Sequence, residues 1–110
     1  MQFDVNITTN RELIEQASDE AIDRALEAIG MQAEGYAKMK CPVDTGRLRN
    51  SITHTVDVTG RKAIIGSNVT YGKYVEYGTS RTKAQPYLQP AVKDHGDEYS
   101  AMVEEFLKNG

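Results

Sequence analysis

The chain has no tryptophan, one cysteine, two histidines and only three prolines. Each scarcity removes a class of explanation. A lone thiol, Cys41, cannot close an internal disulfide, so a disulfide-stapled secreted scaffold is excluded and a reducing compartment is expected. A reactive Cys41 would need a lowered pKa and a partner base, and the sequence shows neither. His54 and His95 stand far apart, and no two His or Cys residues sit at ligand spacing, so neither a metal nor a cofactor is expected. A Gly-x-Ser-x-Gly nucleophile elbow is missing. Gly66, Gly72 and Gly78 are too widely spaced for a phosphate-binding loop. No apolar run approaches the roughly 18 residues that span a bilayer. The opening stretch, Met1 to Ile7, lacks a basic region and an apolar core, so a signal peptide is not expected and the cytoplasm is the expected location.

What is present fits one domain over residues 1–110, with 39% hydrophobic and 26% charged residues. A domain of this size leaves about a third of its unfolded surface exposed, so its own core is modest and partner surfaces matter. The net charge of -3 is unevenly spread. Residues 1–40 carry eight acids and four bases, residues 41–90 three and seven, and residues 91–110 five and two. In sequence, the central bases form no tight cluster interleaved with aromatics, which argues against specific nucleic-acid binding. The simplest reading is two solvated acidic helix faces around a neutral-to-basic sheet.

Phe3, Val5 and Ile7 alternate with polar residues and predict a short half-buried strand. Thr9 and Glu12 have the spacing of a capping box and predict a helix start. Ile14, Ala17, Ala21, Ala25, Ala28 and Ile29 follow at three/four spacing, and the helix is expected to run to about Lys40. Its small-residue stripe permits close approach to a sheet or helix. Gly30 and Gly35 mark a bend or a tight contact. Pro42 stops this helix. Asp44 suits the N-cap of a short turn through Arg47, Leu48, Arg49 and Asn50. Ser51 to Val58 reads as a strand with Ile52, His54, Val56 and Val58 on one face. Thr59-Gly60-Arg61 reads as a hairpin loop, and Lys62 to Asn68 as a second strand. Gly66 inside it implies a bulge or a close backbone approach. Tyr71 to Gly78 fits either a helix with Gly78 at its end or a strand. Residues 79–85 show no apolar periodicity and are expected to be a mobile loop. Pro90 suits the first position of a final helix carrying Val92, His95, Tyr99, Met102, Val103, Phe106 and Leu107. The expected fold is α+β: an antiparallel sheet of three to four strands packed by a long N-terminal helix and a C-terminal helix.

Two stretches invite a chemical reading. Asp44-Thr45-Gly46 is the active-site tripeptide of aspartic proteases, in which two such loops meet and their carboxylates share a proton. Ile64-Ile65-Gly66-Ser67-Asn68 even resembles the second motif of that family. The context argues against it. Those enzymes are almost all β, their Asp follows a buried apolar strand, and the residue after Gly is small where Arg47 stands here. A turn capped by Asp44 is the better reading. The second stretch holds Tyr71, Tyr74 and Tyr77. Tyrosines with nearby arginine suit a protein contact surface, and they suit equally the edge of a small core.

Together these blocks resemble a known family. Pro42-Val43-Asp44-Thr45-Gly46-Arg47-Leu48-Arg49-Asn50-Ser51-Ile52 is similar to its P-x-D-T-G-x-L-x-x-S-I signature. Tyr71-Gly72-Lys73-Tyr74-Val75-Glu76-Tyr77-Gly78-Thr79, followed by Pro86-Tyr87-Leu88-Gln89-Pro90-Ala91, is similar to Y-A-x-Y-V-E-x-G-T and P-x-L-x-P-A. These mark the small tail-completion, or head–tail-joining, proteins of long-tailed double-stranded-DNA bacteriophages and prophages. Gly72 departs from the usual Ala. The resemblance implies a non-enzymatic virion protein with no cofactor, placed at the head–tail junction. It implies a hexameric ring in the virion, in weak equilibrium with a monomer in solution, and neighbouring neck and tail-tube proteins as partners. It assigns Pro42, Asp44, Thr45, Gly46, Leu48, Ser51 and Ile52 to a fold-shaping turn. Tyr71, Tyr74, Val75, Glu76, Tyr77, Gly78 and Thr79 fall to an assembly surface, continued by Arg81, Lys83, Pro86, Leu88 and Pro90. An acidic balance fits a DNA conduit, whose negative lumen does not hold passing phosphates. A tail terminator or other minor tail subunit and, more distantly, a cytoplasmic nucleic-acid-binding regulator are the competing readings.

Overall fold

Alternation in the first residues and β-branched runs near the middle build one small sheet, and a long alanine-rich helix crosses it. The computed structural model describes residues 1–6, 11–43 and 46–109. Strand β1 spans Gln2–Asn6; helices α1 (Arg11–Gln16), α2 (Asp19–Lys40) and α3 (Arg47–Ser51) follow. Strands β2 (Thr53–Asp57) and β3 (Lys62–Gly66) come next, then helices α4 (Gly72–Tyr77), α5 (Leu88–Lys93) and α6 (Gly96–Asn109). Among the described residues the architecture is α+β, with a three-stranded antiparallel sheet in the order β1-β3-β2.

The register puts Phe3, Ile65 and His54 in one row and Val5, Ala63 and Val56 in the next. These side chains share the face that meets α2 along β2 and β3 and α5 at β1. Gln2, Asp4, Thr53 and Thr55 fall on the other, exposed face. The strands therefore read as period-two segments because only one face is covered. The β2–β3 turn closes with the Arg61 N–H donating to the Val58 carbonyl at 3.1 Å and the Gly60 N–H to Asp57 Oδ1 at 2.9 Å. Gly66 marks a close backbone approach and not a bulge: its pairing with Gln2 is regular, and a Cβ there would run into the Met1 carbonyl.

Helix α2 is the spine. Its stripe of Ala21, Ala25, Ala33 and Ala37, with Ile22, Leu26 and Ile29, is buried against the sheet and against α5 and α6. Small side chains bring the backbones close, as Gly30 shows: a Cβ there would stand 2.9 Å from His54 Cδ2. Lys40 ends the helix and Cys41 turns extended before Pro42. Cys41 is buried, and that burial raises its thiol pKa, the opposite of what a reactive cysteine needs.

Three expectations are corrected. The first helix is not continuous from residue 11 to Lys40. It stops at Gln16, and Ser18 starts α2 by accepting the Ala21 N–H at 3.1 Å on its side-chain oxygen. A serine on the polar face competes with the helix by capping it. Thr9, the expected cap, lies outside the described residues. The final helix is likewise two helices. Asp94 caps α5, and His95, stacked on Tyr36 with ring centroids 3.6 Å apart, sits between α5 and α6. Pro90 is the third residue of α5 and not its first. It remains within the first turn, where a missing N–H costs no helical bond.

Candidate assembly surface

The tyrosine segment resolves into a helix. Six residues of α4 carry Tyr74 and Tyr77 outward, and Tyr71 occupies the N-cap position. The three rings are 39%, 48% and 63% exposed for Tyr71, Tyr74 and Tyr77. A helix this short is marginal alone, so the side chains beneath it must hold it.

Glu76 does most of that. It was expected on the exposed contact surface, and the structure corrects this: it is 1% exposed. Its Oε1 accepts the N–H groups of Tyr87 at 3.2 Å and Leu88 at 2.8 Å, and its Oε2 accepts that of Gln89 at 3.1 Å. These are the free amides at the start of α5. A carboxylate from α4 thus caps α5 across a loop, and the N-terminal helix dipole favours its negative charge. Beside it, Tyr87 is fully buried and its hydroxyl donates to the Gly72 carbonyl at 3.2 Å. A Cβ on Gly72 would stand 2.7 Å from that hydroxyl and 3.2 Å from Leu48 Cδ1. Gly72 therefore makes room for a tyrosine at position 87.

Gly78 closes α4, its N–H donating to the Tyr74 carbonyl at 2.8 Å. Its φ of 78° with a neighbouring loop packed on it leaves no room for a side chain. The 79–85 segment then folds back. The Thr79 hydroxyl accepts the Arg81 and Thr82 N–H groups, Thr79 N–H donates to Thr82, and Gln85 N–H reaches the Val75 carbonyl at 2.8 Å. Thr79, Arg81, Lys83 and Pro86 are exposed, Val75, Gly78 and Pro90 half-buried, and Leu88 is buried, a second correction to the expected surface.

The turn motif sits directly below. Asp44 and Thr45 lie outside the described residues, so the Asp44 cap does too. Gly46, at φ 83°, holds the N-cap position of α3. Leu48 and Ile52 are buried in the core. The Ser51 hydroxyl donates to the Leu48 carbonyl at 2.6 Å and lies 2.6 Å from the Ser67 hydroxyl, which accepts the Val69 N–H. Pro42 is half-buried and borders the tyrosines. The cations scattered in sequence converge here. The Arg47 guanidinium lies 6.0 Å from the Tyr71 ring centre and the Lys73 ammonium 5.2 Å from that of Tyr74.

A second polar cluster locks α2 to the sheet. His54 Nδ1 is 2.9 Å from Glu34 Oε1, and Nε2 is 3.0 Å from Glu27 Oε2. Two carboxylates on two ring nitrogens require both to donate, so the geometry selects the imidazolium. Burial of the ring opposes its charge, but the hydrogen bonds to Glu27 and Glu34 outweigh this and raise the His54 pKa. Glu34 is likewise opposed by burial, and its bonds to His54 and Lys38 lower its pKa. Among the described residues, no group of three or more His, Cys, Asp or Glu is placed to hold a metal ion.

Sequence reasoning passed over Gly72, Tyr87 and Ser67. Gly72 alone gave a signal, as a departure from the family pattern.

Fold and site define a small α+β chain whose distinctive feature is a braced aromatic surface with a cationic border. The family described as "Bacteriophage HK97-gp10, putative tail-component" matches residues 7–78, and the chain belongs to it. It is therefore a member of a bacteriophage tail-component family, a structural class. The match takes in the turn motif and the tyrosine helix and ends at Gly78. No curated protein and no solved structure matches the chain.

Proposed function

We propose that this chain is a non-enzymatic virion subunit that completes the tail and joins it to the head. It would act as a ring, hexameric in the virion, against neck and tail-tube proteins. The observation that carries this reading is the mounting of α4. Glu76 and Tyr87 are buried to fix a short helix whose other side presents Tyr71, Tyr74 and Tyr77 to solvent. Rigid, partly exposed tyrosines beside cations are what protein interfaces use as anchors. Their exposure has no use in the core and fits a surface that is covered on assembly. The 79–85 segment would act as an arm that shifts onto a neighbouring subunit, its ordering cost keeping association of the free chain weak.

The test is particle assembly from a phage genome encoding Tyr74→Asp and Tyr77→Asp. The expected outcome is filled heads and free tails that fail to join, from protein of unchanged thermal stability. Normal joined particles would refute the reading. Defective tail length with normal joining would instead favour a tail terminator.

A further inference from the structure

The next inference rests on that assembly reading and names the partner of the tyrosine surface. A groove of about 190 Å³ opens among Pro42, Tyr71, Tyr74, Val75, Thr82 and Lys83. That is below the roughly 300 Å³ at which small-molecule sites begin, and it suits a single inserted side chain. Exposed Arg47, Lys73, Arg81 and Lys83 lie in and around the same segment. The one carboxylate between Tyr71 and Tyr87 is Glu76, and it faces inward onto the α5 amides. The groove is thus tyrosine-lined with a cationic border.

The opposite end of the molecule has the complementary character. Helix α2 is about 33 Å long at about 1.5 Å per residue, and Pro42 places the groove at its C-terminal end. Helix α6 begins beside Tyr36, where His95 stacks, and runs back along α2 to pack on α1. Helix α1, the first turns of α2 and the last turns of α6 therefore form the far end. Glu12, Asp19, Glu20, Asp23 and Glu105 are exposed there. Of the nearby cations, Arg11 is paired with Glu15 and Lys108 with Glu104, and Arg24 is exposed beside Asp23, so acids outnumber bases at this end. Next to Glu105, the ring of Phe106 is 41% exposed. The molecule measures 50 × 20 × 20 Å, so one end offers an aromatic side chain among acids and the other a tyrosine groove among bases.

We infer that the groove receives Phe106 from a second copy of this chain, with the acidic end of that copy seated on the cationic border. Each copy then offers one end to each of two neighbours. This is a heterologous head-to-tail contact, which closes into a ring when the rotation per subunit allows.

Sedimentation velocity of the full chain over a concentration series tests this. Association is expected, weakening as salt rises. Phe106→Ser, and separately the triple change Lys73→Glu, Arg81→Glu and Lys83→Glu, should each weaken it by more than about tenfold. All four positions are exposed, so melting curves should not move. A second triple, Glu12→Lys, Asp23→Lys and Glu105→Lys, should fail alone but associate when mixed with the first, because the reversed surfaces match. Association that survives Phe106→Ser, or a mixture that does not recover, overturns the inference. The assembly reading then still stands or falls on the tyrosine variants in particles. A wild-type chain that stays monomeric at every concentration also overturns it. So does a short DNA duplex bound at low salt and lost with Lys73→Glu while Phe106→Ser binds normally, which would make the groove a nucleic-acid contact.

Discussion

At the scale of single residues, Glu76 makes the firmest prediction. Removing its carboxylate leaves three amides at the start of α5 without acceptors, those of Tyr87 and Leu88 buried and that of Gln89 partly so. Glu76→Ala should cost about 3 kcal/mol in urea unfolding, far more than loss of an exposed glutamate. A cost near zero would mean that water or another group replaces it. Gly72 and Tyr87 form a second, coupled case. Gly72→Ala should destabilise by about 1–3 kcal/mol through its clash with the Tyr87 hydroxyl. In Gly72→Ala with Tyr87→Phe the two costs should be less than additive, since the hydroxyl that clashes is gone. The sequence named Glu76 correctly as part of a motif but placed it on the surface. A glutamate in an exposed-looking helical run carries no sign of burial. Its partners are backbone amides more than ten residues away, and backbone groups leave no trace in a residue pattern. The aromatic exposure of Tyr71, Tyr74 and Tyr77 was legible because tyrosine bridges apolar and polar surroundings.

At the scale of elements, helix boundaries follow local capping that periodicity does not register. Ser18 splits the expected first helix while the small-residue stripe continues across the break, so the hydrophobic pattern alone reads as one helix. Ser18→Ala should cost about 1 kcal/mol, measured by thermal or urea unfolding. The joint between α2 and β2 depends on pH in a direction that can be worked out. The raised His54 pKa contributes stability fully below the unfolded value, near 6.5. That contribution fades as pH rises through the folded pKa. The lowered Glu34 pKa works the other way, contributing above the unfolded value and fading as pH falls through the folded one. The joint should therefore be strongest between the two, in mildly acidic to neutral solution. Wild-type stability should fall relative to His54→Gln as pH is raised across the His54 titration, read by urea unfolding at a series of pH values. A constant difference across that range would contradict the imidazolium assignment. The strands, by contrast, were legible in their centres, since Phe3/Val5 and His54/Val56 alternate against a single covered face, but Ser51 and Ile52, expected in the second strand, belong to α3 and its C-cap, and the third ends at Gly66 and not Asn68.

At the scale of the whole molecule, the α+β class and the spine-and-sheet arrangement followed from periodicity, and the family followed from two spaced motifs. Convergence of charge did not. Arg47 meets Tyr71 only after the chain turns at Pro42 and returns through the sheet, bringing it to the segment that already holds Lys73, so a count along the sequence saw dispersed bases where the fold makes a bordered groove. The same folding brings Glu12, Asp19, Glu20, Asp23 and Glu105 together at the far end, giving an elongated molecule with unlike ends. Such a shape suits a repeated subunit in a larger particle. The place proposed for this chain is the junction of head and tail. The direct measurement is immunogold electron microscopy of induced particles with antibody to this protein. Label confined to the head–tail junction is the predicted result. Label along or at the far tip of the tail, or intact particles with an open junction and no label, would contradict it.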